Sequence, residues 1–298
     1  MKRKNTISSE VARGNNEEGK TVNENERTEE KVVWAVEIEK LVKEYGTFRA
    51  LDGLDLKIKK GELYGLLGPN GAGKTTSIKV LMGLTPPTRY KTLKIFNTLL
   101  PNREIRKRIG YMPQETAIYQ NLTVHENLMM WGEIFEMDRG LMKEREKILL
   151  DLVNLTDWRD AVITTLSGGM KHRASLICTL IHDPDLLVLD EPTVGVDPEL
   201  RKEFWDFFHR ISKTGKTIII TTHYMDEASN CSKVGLIRQG KLIAEGSPAE
   251  ILQQSGTKSL EEAFVYYCKR QRKYVNPQAK ESEGKEHDSS KKKESKVR

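Results

Sequence analysis

An α/β fold is the class the sequence predicts, and three observations carry it. A strand–glycine loop–helix passage runs from Leu63 to Met82. Short apolar runs without polar alternation, Leu186 to Leu189 and Thr217 to Thr221, have the pattern of parallel strands buried on both faces. Between the loop and those runs, Leu122 to Trp158 takes up helical periodicity, with Val124, Leu128, Trp131 and Ile134 three or four residues apart.

The chain begins with residues 1–33, rich in Glu, Asn, Lys and Thr, with few large apolar residues, and these are expected to form a disordered polar tail. Trp34 to Val42 alternates apolar and charged residues, as a half-buried strand does. Tyr45-Gly46 makes a turn into a second strand through Leu51, Leu54, Leu56 and Ile58. After the loop and its helix come a short strand at Thr92 to Phe96, a charged helix at Asn102 to Arg108, and another short strand at Ile109 to Met112. A hairpin follows the last buried strand (Val234 to Ile237, Gly240, Leu242 to Ala244), then a helix opened by Ser247-Pro248. One folded domain is expected over 34–268, with a helical subdomain at about 115–182 and a basic disordered tail at 269–298.

Composition narrows the function classes. The longest apolar runs fall far short of the roughly 20 residues that a membrane-spanning helix needs, and the N-terminal stretch has no apolar core of a signal peptide. Cys178, Cys231 and Cys268 are scattered, which fits a reducing compartment and argues against a zinc site or a disulfide framework. Lys269 to Arg298 carries eleven Lys/Arg against five Asp/Glu, which equals the whole net charge of +6. The rest of the chain is neutral, so a basic nucleic-acid surface is not indicated, and a solvated tail is favoured over one that contacts lipid or RNA.

The chemistry centres on Gly68-Pro69-Asn70-Gly71-Ala72-Gly73-Lys74-Thr75-Thr76, which fits the phosphate-loop pattern G-x-x-x-x-G-K-[ST] in its strand–helix context. Its glycines let successive N–H groups face one concave side, and the next helix adds its unpaired N–H groups and positive dipole end. Lys74 would reach the β- and γ-phosphates, and the Thr75 hydroxyl would take a Mg²⁺ position. The apolar strand Leu186 to Leu189 ends in Asp190 and Glu191, the first placed for Mg²⁺ and the second to orient or deprotonate an attacking water. Leu166-Ser167-Gly168-Gly169 opens a further helix with Ser167 as a natural N-cap. By its residues alone this is equally an ordinary cap or a second phosphate-binding helix start.

In this order, these elements resemble the nucleotide-binding domain of ATP-binding cassette (ABC) proteins. The resemblance spans Trp34 to Cys268 and implies a P-loop NTPase fold: a RecA-like core, an antiparallel β subdomain and a helical subdomain insertion. It implies that Tyr45 stacks on adenine and that Gln114 ligates Mg²⁺ and contacts a membrane partner. It gives Asp197, in Gly195-Val196-Asp197-Pro198, a loop crossing a dimer interface, and it gives His223 a contact with the γ-phosphate. Ser167, Gly168 and Gly169 would close on ATP bound to a second copy. Met170, the run Leu122 to Leu128, and Ser259 to Phe264 are similar to the ATPase subunits of ABC-2-type exporters. Two departures stand out: Arg89-Tyr90 and Asn97 occupy a hairpin region where Ser-Gly and Gly are usual, and His172 replaces a commoner Gln or Arg.

The expectation is an ATP- and Mg²⁺-dependent ATPase that drives a separate transmembrane permease from the cytoplasmic face of the membrane. Its closed form would be a nucleotide-sandwich dimer with a second copy or a close relative. A soluble ABC ATPase acting on ribosomes or nucleic acid is the alternative; it is disfavoured because the chain has neither tandem cassettes nor a coiled-coil or zinc insertion.

Overall fold

The computed structural model describes residues 32–115 and 117–275, so most of both expected tails lies outside the described residues. Strands β1 (Trp34–Tyr45) and β2 (Phe48–Lys59) pair antiparallel, with Tyr45 opposite Phe48 across a two-residue turn. Gly46 takes φ 57 there, a value that suits glycine. β3 (Leu63–Leu67) is buried along its whole length and leads through the glycine loop into α1 (Lys74–Leu81). The chain then returns to the first sheet as β4 (Thr92–Ile95) and β5 (Thr98–Leu99).

The hairpin between β4 and β5 forms despite the unusual sequence around it. Phe96 and Asn97 occupy its turn at φ 45 and 63, both left-handed. Asn tolerates that region, and the Phe96 ring lies 4.4 Å from the Arg108 guanidinium. The charged helix expected at Asn102 to Arg108 is instead a 3-10 helix over Glu104–Arg108. The Asn102 side chain accepts from the Ile105 N–H at 3.1 Å, which favours a tight turn, and the chain enters β6 (Ile109–Met112) directly afterwards.

The helical stretch comprises α2 (Val124–Ile134), α3 (Arg139–Leu152) and α4 (Gly168–Leu180), each started by a side-chain cap: Thr123 with Glu126 in a capping box, Asp138, and Ser167. Strand–helix alternation then resumes with β7 (Leu186–Asp190), α5 (Pro198–Lys213) and β8 (Thr217–Thr222). The hairpin β9 (Lys233–Arg238) and β10 (Lys241–Gly246) leads to α6 (Pro248–Ser255) and α7 (Leu260–Val275). α7 crosses the boundary expected after Cys268, because Leu260, Ala263 and Cys268 bury one face of a helix that continues past it.

Two sheets result, a four-stranded antiparallel one ordered β2-β1-β4-β5 and a six-stranded one ordered β10-β9-β3-β8-β7-β6. In the second, β9, β3, β8, β7 and β6 run parallel, and only β10 is antiparallel. One face of this sheet (Leu63, Leu67, Leu187, Leu189, Ile218, Ile220) packs in a core with residues of α4, α5 and the helical stretch. The other (Tyr64, Leu66, Leu186, Val188, Ile219) shares a core with the antiparallel sheet and α1. Register brings the strand ends level: Leu67 pairs with Thr222, Asp190 with Thr221, and Met112 with Leu189. Four parallel strands therefore end together, where a parallel sheet presents its ligand crevice.

Candidate functional site

The loop after β3 owes its path to its glycines. A Cβ on Gly68 would collide with the Ile237 carbonyl, and Gly71 and Gly73 have φ 78 and 109. Gly73 is the N-cap of α1 and supplies no side-chain cap, so the first N–H groups of α1 are left for a ligand to satisfy. Together with Phe48, Ala50, Gln114 and Glu191, the loop Pro69–Thr76 encloses a cavity of about 350 Å³. That loop contributes Pro69, Asn70, Gly71, Ala72, Gly73, Lys74, Thr75 and Thr76 to the cavity wall.

Lys74 lies across the loop, its Nζ donating to the Gly68 carbonyl at 2.7 Å and lying 3.6 Å from Glu191 Oε1. Burial lowers the Lys74 pKa, and the neighbouring Glu191 carboxylate opposes that shift. Glu191 is the meeting point. Gln114 Nε2 donates to its Oε2 at 3.2 Å, and His223 Nδ1 lies 3.3 Å from its Oε1. Its backbone N–H donates to both the hydroxyl and the carbonyl of Thr221, at 3.0 and 3.1 Å. Glu191 also has φ 55, a left-handed conformation costing about 1–3 kcal/mol in a residue with a Cβ, which packing at the strand ends sustains.

Asp190 is fully buried, and Thr221 Oγ1 donates to its Oδ1. Thr75 Oγ1 lies 3.4 Å from the same oxygen, while Oδ2 is buried with no hydrogen-bond partner. An orphaned buried carboxylate oxygen beside a threonine hydroxyl fits a divalent cation, whose charge would satisfy it. Among the described residues no cluster of three or more His, Cys, Asp or Glu could hold a metal. The ion would therefore be shared with the oxygens of a phosphate ligand, as Mg²⁺ prefers.

The other sequence-predicted residues stand apart from this cavity. Tyr45 does not line it but sits at the same hairpin end as Phe48, which does. Tyr45 is 47% exposed, and the Lys43 ammonium lies over its ring 4.6 Å from the centroid. Ser167 caps α4 by accepting from the Met170 N–H at 3.3 Å, and Gly168 and Gly169 come next with open space where a Cβ would lie. Neither glycine has positive φ, so nothing within the chain requires glycine there. Asp197 is exposed and caps α5 through the Leu200 N–H at 3.0 Å.

Sequence reasoning passed over Phe48 and Thr221. Phe48 has a legible signal, an exposed aromatic beside the Tyr45-Gly46 turn. Thr221 does not, because its role depends on β8 lying next to β7.

Known proteins similar to this chain share one description. The family model described as ABC transporter matches residues 51–194. The linearmycin resistance ATP-binding protein of Bacillus subtilis is 40% identical over 223 residues, covering 74% of this chain and 72% of that protein. A probable multidrug ABC transporter ATP-binding protein of Escherichia coli is 38% identical over 236 residues, which cover 77% of this chain but only 41% of that protein's length. The solved structure of an ATP-binding subunit of an ABC transporter superposes with a TM-score of 0.73 at 26% identity, over 78% of this chain and 99% of the other. The chain therefore belongs to the family of ABC transporter ATP-binding proteins.

Proposed function

We propose that this chain energises a separate transmembrane exporter by binding and hydrolysing ATP between two cassettes. The observation that carries the reading is the convergence of Lys74, Gln114 and His223 on the Glu191 carboxylate, each within 3.6 Å. In this reading Glu191 takes a proton from water as the water oxygen attacks the γ-phosphorus. The bond from that phosphorus to the β–γ bridging oxygen breaks, and ADP leaves. Lys74 and the N–H groups of loop and helix hold the phosphates, and His223 positions the γ-phosphate. Thr75, Asp190 and Gln114 would hold Mg²⁺, which neutralises phosphate charge when bound.

The second copy enters through Ser167, Gly168 and Gly169. They stand outside their own chain's cavity, and their open approach suits the phosphates of ATP held by the opposite loop. Tyr45 would stack on the adenine, and Asp197 would lie at the seam between copies.

In this reading a permease would push on an apolar surface of this chain. A largely apolar groove of about 700 Å³ runs between the core and the helical stretch, lined among others by Leu84, Tyr111, Pro113, Trp131 and Phe135. Pro113 precedes Gln114, so a helix seated in the groove would act one residue from the Glu191 contact. No helix among the described residues is long and apolar enough to cross a membrane, and a transport pathway in this reading belongs to another polypeptide at whose cytoplasmic face the chain sits.

The test is affinity capture of the Glu191→Gln protein, with ATP, from detergent-solubilised native membranes. A multi-span membrane protein in stoichiometric yield is the expected result. Recovery of ribosomal proteins or nucleic acid without a membrane partner would overturn the reading.

A further inference from the structure

The hydrolytic reading leaves unused a further buried carboxylate next to the site. Glu227 opens the 3-10 helix Glu227–Asn230 after β8, is 2% exposed, and lines no part of the ATP cavity. Its Oε2 accepts two hydroxyl hydrogen bonds, from Thr193 at 2.8 Å and from Thr222 at 3.0 Å. Both threonines are almost completely buried. Thr193 lies two residues after Glu191, and Thr222 immediately precedes His223. One carboxylate oxygen therefore ties the segment leaving the base to the segment carrying the γ-phosphate residue.

The other oxygen adds a second route to the same imidazole. Arg201 of α5 places Nε 3.5 Å from Glu227 Oε1, and its guanidinium lies 5.6 Å from the Tyr224 ring centroid. The Tyr224 ring in turn lies against His223, with centroids 4.1 Å apart. Arg201 Nη2 also donates to the Val196 carbonyl at 3.4 Å, in the segment expected to cross between copies. Thr222 Oγ1 accepts from the Tyr224 N–H at 3.0 Å, which fixes the turn that presents His223.

A buried carboxylate without alternatives to these partners is expensive to keep unless the arrangement it fixes is needed. We propose that Glu227 is a positioning residue for ATP hydrolysis, holding Glu191 and His223 in one geometry through Thr193, Thr222 and the Arg201–Tyr224 pair. The inference rests on the proposed roles of Glu191 as base and His223 as γ-phosphate contact. Glu227 is buried and lines no part of the cavity, so its loss should slow turnover and leave binding alone.

Glu227→Gln is the informative variant, because its volume is unchanged and its amide oxygen can still accept from the threonines. Its NH₂ then faces the Arg201 guanidinium, donor against donor, which should turn the Arg201–Tyr224 pair away from His223. The chain should lose about tenfold or more in kcat with KM for ATP within about twofold, while remaining folded at the assay temperature. Thr193→Val and Thr222→Val should each lower kcat, and each should couple to Glu227→Gln non-additively, as members of one network do. Glu227→Asp, retaining the charge, should recover part of the loss.

A folded Glu227→Gln protein with parental kcat would overturn the inference, as would a rise in KM at constant kcat or strict additivity with the threonine variants. If Glu227→Gln proves unstable, the two Val variants decide alone by the same kcat–KM split. Glu191→Gln run in parallel separates the failures. Turnover retained there removes the catalytic reading itself, whereas turnover lost there but kept in Glu227→Gln removes only this inference.

Discussion

The Lys74 ammonium, at the start of α1, and the Glu191 carboxylate, just past the end of β7, face each other at 3.6 Å, both about 5% exposed. Each is the other's countercharge in a poorly solvated cavity. Replacing Glu191 by Gln removes the base and also leaves Lys74 a buried cation with no opposite charge as near, a state that phosphates relieve. Glu191→Gln should therefore bind ATP at least as tightly as the parent while hydrolysing it at less than about a hundredth of the rate. Equilibrium nucleotide binding together with single-turnover hydrolysis checks both halves, and size-exclusion chromatography with ATP should show a dimer persisting in the variant.

Lys74→Ala separates binding from chemistry in the other direction. The ammonium donates to the Gly68 carbonyl and contacts the Pro69 carbonyl at 3.4 Å, so it braces the loop as well as meeting phosphate. Losing one charge-assisted hydrogen-bonding group should cost about 2–3 kcal/mol of ATP affinity. Titration calorimetry reads this directly, and undiminished affinity would remove Lys74 from the phosphate site.

These two residues were legible in the sequence because their chemistry is local. The glycine loop, its lysine and the strand-ending carboxylates lie in continuous stretches whose flanks state their secondary structure. Strand positions were legible for the same reason, since β3 and β8 are short runs buried throughout. What stayed hidden depends on neighbours in space. The Asn102 cap that tightens Glu104–Arg108 into a 3-10 helix competes with a pattern that reads as ordinary helix. The Thr221 contact to Asp190 and the Thr193–Glu227–Thr222 bridge exist only because β8 inserts between β3 and β7, an order periodicity does not encode.

Thr221 yields a prediction of its own. Its hydroxyl donates to Asp190 Oδ1 while accepting from the Glu191 N–H, so it fixes the orientation of a carboxylate whose other oxygen has no partner. Thr221→Val keeps the shape and strips both bonds, which should cost about 1–3 kcal/mol of stability. The Mg²⁺ concentration for half-maximal ATPase activity should also rise, because Asp190 is no longer aimed. Thr221→Ser should restore most of both. A Mg²⁺ titration with parallel urea unfolding distinguishes loss of aim from loss of fold, since a purely structural role would leave the Mg²⁺ midpoint unmoved.

His182 sets a pH limit on the fold. Burial pushes its pKa from the ordinary 6.5 down to about 4; its Nε2 faces the Ile109 carbonyl at 3.1 Å and its ring stacks on Phe135 at 3.6 Å between centroids. Between those two pKa values the unfolded chain holds a proton that the folded chain does not. Stability contributed by the neutral ring is thus complete above about 6.5 and is lost progressively as pH falls toward 4. The dependence of unfolding free energy on pH should contain a contribution approaching 1.4 kcal/mol per pH unit from this group. His182→Gln retains a donor for Ile109 but cannot titrate, so its stability curve should be flatter than the parent's across that interval and lower above it, where the stacking on Phe135 is missing. Urea unfolding of both proteins at a series of pH values measures this, and parallel curves would assign the acid sensitivity to other groups.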